Sequence, residues 1–160
     1  MIRNPQLVGC TAATIMAFRN YQPIIHDLDR IFDGLGTFPE SLIEFAGRVC
    51  YRSTDNMGNA PDFIAARLRE GHADIIEHGW LSLRAELPDP LKFFESTSYL
   101  YANPLEDGRY LVSGNFRAWM NNFRHNPDVL SEGARVAPTV FNYDSTPFFV
   151  PICPPTAFMG

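Results

Sequence analysis

The chain has little cysteine, almost no lysine and no long apolar run, and each shortage removes a class of explanation. Its three cysteines, Cys10, Cys50 and Cys153, are widely separated and odd in number. Neither a disulfide framework nor a cysteine-based zinc motif therefore organises the fold. No stretch has the length and apolarity of a membrane span, and the opening residues do not read as a signal peptide. The expectation is a reduced, cytoplasmic protein that does not enter membranes. Basic residues are outnumbered, 13 Lys+Arg against 18 Asp+Glu, for a net charge of −5. That balance denies duplex nucleic acid the basic footprint it requires, although a local basic pocket for one nucleotide is still allowed. Only Lys92 among the cations is a lysine. Arginine offers phosphate and carboxylate a planar, two-pronged grip; a GC-rich coding sequence produces the same bias.

What is present fits one domain over residues 1–160. The hydrophobic fraction of 46% and charged fraction of 19% exclude wholesale disorder. Residues 1–36 give no clean period: "QLVGCTAATIMAF" has strand-like content, and "NYQPIIHDLDRIFDGLG" has room for a short helix ending at Gly34 or Gly36. The next segment is clearer. Thr37 and Glu40 have capping-box spacing, Pro39 suits the first turn, and Leu42, Phe45, Ala46, Val49 and Cys50 recur at helical spacing. A second helix follows, with Asn59 as its N-cap and Gly71 just past its end; Phe63, Ile64 and Leu68 form its inward face.

The stretch "GHADIIEHGWLSLR" then packs two histidines and two acids ahead of a strand. Asp74 and Glu77 again have capping-box spacing, which predicts one helical turn over "DIIEH". From Trp80 the period becomes two: Leu81, Leu83, Ala85 and Leu87 face one way, while Trp80, Ser82, Arg84 and Glu86 face the other. Pro88-Asp89-Pro90 ends that strand. "SYLYA" and "RYLVS" form a hairpin turning near Asp107-Gly108. In "SGNFRAWMNNFRH", Phe116, Trp119, Met120 and Phe123 make a full apolar helical stripe, and Arg117, Asn121 and Arg124 lie on another face. Pro127 closes that segment. From about residue 137 the chain is proline-rich and apolar, and is expected to lie along a surface or a neighbouring subunit.

Two polar clusters invite chemistry. His72 and His78 are six residues apart across a helix end, which is wrong for a zinc pair at i and i+4; hydrogen bonding to helix-end carbonyls is the plainer use. Ser113-Gly114-Asn115 leads from a strand into a helix bearing Arg117 in its first turn. Such a junction offers free N–H groups and a positive dipole end to an anion, while a solvated helix face is the ordinary alternative.

Three segments together, "FAGRVCYRS", "FIAARLREGHADIIEHGWLSLRAE" and "YLVSGNFRAWMNNFR", resemble the flavin-dependent thymidylate synthases over about half of the chain. In that family an A-x-R-V-[CS]-[YF] helix precedes a G-H-x-[ST]-x-x-E-H corner, and a later strand enters an N-x-R-x-[LW]-x-N helix. The resemblance implies an α+β fold (mixed α/β), an antiparallel-rich sheet with flanking helices. It also implies FAD as cofactor, NADPH and methylene-tetrahydrofolate if the family reaction is retained, and a homotetramer with flavin sites between subunits. By carry-over, His72, Asp74 and Glu77 sit at a flavin-facing corner, and Asn115, Arg117 and Asn121 line the flavin pocket. Asp74 replaces the family's small hydroxyl residue. Cys50 takes the place of a small residue on the first helix and is expected as a buried core thiol.

The departures are equally specific. The family's R-H-R-x-x-S signature, which grips dUMP and flavin, is missing from "LPDPLKFFESTSYLYANPLEDGR" between Glu86 and Tyr110. The arginine that polarises the uracil ring should fall at Asn126. Arg124 is two residues short, roughly 200° around the helix. The sequence therefore predicts a relative degenerate for dUMP methylation that retains flavin or nucleotide binding. The alternative is a non-catalytic oligomeric relative that binds a nucleotide or a partner.

Overall fold

A computed structural model describes residues 1–11, 31 and 33–142. Strand β1 (Arg3–Cys10) is followed by helix α1 (Phe38–Cys50), a 3-10 turn at Thr54–Asn56 and helix α2 (Ala60–Arg69). A longer 3-10 segment (Ala73–His78) leads into β2 (Trp80–Glu86), then α3 (Pro90–Ser96), β3 (Tyr101–Pro104) and β4 (Tyr110–Asn115). Helices α4 (Phe116–Phe123), α5 (Pro127–Ala134) and α6 (Pro138–Phe141) complete the described residues. The four strands form one antiparallel sheet in the order β1-β2-β4-β3. The architecture is α+β, as expected. The helix considered over residues 20–36 lies largely outside the described residues.

Alternation along β2 separates the two faces of the sheet. Leu81, Leu83 and Ala85 are buried beneath the helices, and their β4 neighbours Val112 and Gly114 join them. Helix α4 lies against this inner face through its stripe of Phe116, Trp119, Met120 and Phe123, all buried. The Trp119 indole N–H donates to the Leu81 carbonyl at 3.0 Å, so its one polar atom is satisfied inside the core. Close approach at the junctions requires glycine: a Cβ at Gly79 would overlap the Phe116 ring, and one at Gly114 the Leu100 side chain.

Helix α1 begins as its sequence dictates. Thr37 Oγ1 accepts from the Glu40 N–H, and Glu40 Oε2 accepts from the Thr37 N–H at 3.0 Å. Its orientation is less obvious. The buried side carries Glu40, Ile43, Glu44 and Gly47, while Leu42, Phe45 and Ala46 are half-buried and Val49 and Cys50 are exposed. The expectation of a buried Cys50 thiol is thus overturned, because the helix turns its carboxylates inward and supplies each with partners. Glu40 Oε1 accepts from the Thr139 N–H at 2.7 Å. Glu44 accepts from Arg48 Nε at 2.7 Å and from the Gly58 N–H at 3.2 Å. A buried carboxylate is tolerated when each oxygen has a donor.

Two further expectations change. The proline-rich segment does not lie on the surface at its start: Ala137, Val140 and Phe141 are buried in the chain's own core, with the Phe141 and Phe116 rings 5.2 Å apart edge to face. Its remainder, from residue 143 on, lies outside the described residues. Pro90 and Pro127, which ended segments on the sequence, also start helices, each as the first residue after an N-cap (Asp89 and Asn126) whose side chain accepts from helix N–H groups. Among the described residues no helix is long and apolar enough to cross a membrane.

Candidate functional site

The corner between α2 and β2 is built by backbone geometry. Gly71 closes α2 with φ +84°, a left-handed conformation in which glycine carries no Cβ penalty. The His72 N–H donates to the Arg67 carbonyl at 2.9 Å. The 3-10 segment then buries Ala73, Ile75 and Ile76 against α1 and α4 and leaves His72, Asp74, Glu77 and His78 exposed. The capping box anticipated for Asp74 and Glu77 does not form. His72 occupies the cap position without a side-chain hydrogen bond, because the turn is 3-10 and Glu77 is engaged elsewhere.

Glu77 reaches across to α4. Arg117 Nη1 donates to Glu77 Oε1 at 2.5 Å, joining the corner to the first turn of the helix. The junction is drawn closer by the Phe116 N–H, which donates to the Gly79 carbonyl at 2.8 Å. Asn115 caps the helix, its Oδ1 accepting from the Ala118 N–H at 2.7 Å. Two of the first-turn N–H groups are therefore consumed within the protein. The open donors are side-chain atoms instead: Arg117 Nε and Asn121 Nδ2, one helical turn apart, are buried and have no hydrogen-bond partner. Unmatched buried donors are rare in folded proteins, and each costs about 1–3 kcal/mol unless something accepts from it.

Two of the six candidates meet in direct contact, Glu77 and Arg117; Asn115 caps α4, and Asn121 lies on α4 one turn beyond Arg117. His72, which precedes the 3-10 segment, and Asp74, on it, make no side-chain hydrogen bond or ion pair among the described residues. Neither histidine side chain, His72 or His78, hydrogen-bonds a carbonyl there. Arg124 ends α4, is exposed and donates from Nε to His125 Nε2 at 3.1 Å. Asn126, the position at which the resemblance would require an arginine, uses its side chain to cap α5, accepting from the Asp128 and Val129 N–H groups.

Sequence reasoning missed a second constellation on the outer face of the sheet. Trp80 and Tyr101 lie near-parallel at 6.3 Å and 17°, and Arg84 and Arg109 both donate to Asp107. The signal was available in the period-two pattern, which puts Trp80 and Arg84 on one side of β2. Its continuation onto the hairpin needed the strand register. Neither the protein-family models nor the curated proteins compared with this chain give a match.

Proposed function

We propose that this chain is a shortened relative of the flavin-dependent thymidylate synthases that holds a flavin or nucleotide at the Glu77–Arg117–Asn121 corner and does not methylate dUMP. The observation that carries the reading is the pair of buried, unpartnered donors one helical turn apart, Arg117 Nε and Asn121 Nδ2, on the helix that Arg117 ties to the Glu77 carboxylate. Arg117 is neutralised by Glu77, and Asp74 adds a further negative charge on the same segment. This donor set fits the carbonyl oxygens of a flavin ring or nucleobase better than a bare phosphate. If FAD is the ligand, Arg117 and Asn121 would hold its ring, and the flavin would supply hydride and electron transfer. NADPH and methylene-tetrahydrofolate would take part only if the family reaction persists.

Support for the loss of dUMP chemistry comes from the same region. A clamp and a cation are needed to hold the uracil ring and stabilise the charge developing on it. Residues between β2 and β4 form only α3 and β3, and the position of the missing arginine belongs to a helix cap. The test is flavin affinity on removing Arg117, with Arg124 as the control.

The second reading is a non-catalytic oligomer. Val49, on α1 with half-buried Leu42 and Phe45, and Tyr51, just past the end of the helix, are about half exposed. A second copy would cover this apolar strip, in keeping with the homotetramer that the resemblance implies.

A further inference from the structure

The outer face of the sheet carries features that the corner site does not use. Register aligns Trp80 with Asn115, Tyr101 with Ser113, and Arg84 with Leu111 and Gln6. Those residues, together with Arg109 two positions before Leu111, share the face opposite the core. At one end Trp80 and Tyr101 stack while remaining 39% and 61% exposed. The next row holds Ser82 and Ser113, joined by a hydrogen bond at 2.8 Å, with Tyr101 at its β3 end leaning toward Trp80. At the far end Arg84 and Arg109 share the Asp107 carboxylate, and Arg109 Nη1 also donates to Gln6 Oε1 at 3.2 Å. Arg84 Nε is buried and has no partner.

We propose that this face is a nucleotide platform: it takes a nucleoside diphosphate, with the base stacked on the Trp80–Tyr101 pair and the phosphates toward Arg84 and Arg109. Aromatic rings left on a sheet surface waste apolar area unless something planar covers them, and every nucleobase has a face to stack. The charge also matches. Among the residues that register and ion pairs place on this side, Arg3, Arg84 and Arg109 outnumber Glu86 and Asp107 by one, on a chain of net −5. Arg84 lies four residue steps along β2 from Trp80, about 13 Å at the rise of an extended strand. A base alone does not bridge that span, whereas a base, a sugar and two phosphates do. The overall negative charge disfavours a long polyanion, so a single nucleotide is the occupant.

The two tryptophans make the proposal testable, because Trp119 is fully buried and Trp80 is not. ADP is titrated into the intact protein, and the exposed tryptophan's fluorescence is followed. Saturable quenching is expected, with the buried tryptophan's emission unchanged. Arg84→Gln should weaken ADP binding about tenfold to a hundredfold, while Arg124→Gln, on an exposed site elsewhere, leaves it unchanged. Trp80→Leu should weaken ADP binding measured by calorimetry, with an unaltered circular dichroism spectrum showing that the fold is kept. No saturable response at millimolar ADP, or equal affinity in Arg84→Gln, overturns the proposal. So does pyrophosphate binding as tightly as ADP, since the rings would then contribute nothing. Binding of an oligothymidylate without binding of ADP also overturns it, in favour of a single-stranded nucleic acid surface.

Discussion

Arg117 Nη1 and Glu77 Oε1 meet at 2.5 Å across 40 residues of sequence, tying the 3-10 corner to the helix that follows β4. The pair is part-exposed, with side chains 23% and 44% accessible, so solvent screens most of its Coulomb energy. A double-mutant cycle with Arg117→Ala and Glu77→Ala should return a coupling of about 0.2–1 kcal/mol, measured by denaturant unfolding. A coupling several times larger would make the contact a folding element and weaken its assignment to a ligand.

Glu40 carries far more of the fold. Fully buried, it accepts from the Thr37 N–H and from the Thr139 N–H, and so fastens α1 to α6 at their first turns. Glu40→Ala strips both donors of their acceptor, at about 1–3 kcal/mol each, and should lower stability by about 2–6 kcal/mol in a urea titration. Glu40→Gln keeps one acceptor oxygen and should cost less than Glu40→Ala. Equal losses for the two variants would contradict this account.

Asp107 sets a pH dependence with a definite sign. The Arg109 guanidinium, with help from Arg84, holds its carboxyl down from the ordinary 3.8 to about 2. A depressed carboxyl stabilises the fold above its unfolded value, so this contribution is fully present above about pH 4 and lost as pH falls through about 2. The measurement is a carboxyl carbon titration by NMR. The midpoint should lie near 2 in the parent and move back toward 3.8 in Arg109→Ala. A parent midpoint near 3.8 would show that the pairing does not persist in solution.

Light scattering decides the oligomer. A homotetramer should scatter as four copies of the 18.1 kDa chain, and Val49→Glu on the outward strip of α1 should shift it toward the monomer without unfolding it. A parent that runs as a monomer at micromolar concentration removes the proposal.

Much of this architecture was legible from residue patterns, and the exceptions have physical causes. Thr37 with Glu40, Asn59 as the N-cap of α2, and the stripe from Phe116 to Phe123 depend on neighbours within one or two helical turns, and short-range patterns report them faithfully. The inward face of α1 was not legible, because Glu40 and Glu44 are buried by donors far along the chain, such as Thr139 and Gly58. Asp89 and Asn126 went unread as caps because the prolines after them look like terminators. The Arg117–Glu77 contact joined residues that the motif had already named. The Trp80–Tyr101 stack required the pairing of β2, β4 and β3 in space, which no local pattern supplies.

Flavin affinity in the Arg117→Ala variant tests the central claim most directly. FAD and FMN are titrated by calorimetry into the parent, Arg117→Ala and Arg124→Ala, and thermal stability is checked alongside. Neither arginine belongs to the apolar stripe of α4, so both variants should melt close to the parent. A charged donor set against a ligand acceptor contributes about 1.5–3 kcal/mol, so Arg117→Ala should lose about tenfold to a hundredfold in affinity while Arg124→Ala loses nothing. Absence of flavin binding by the parent, or an equal loss in both variants, would contradict the assignment of this corner.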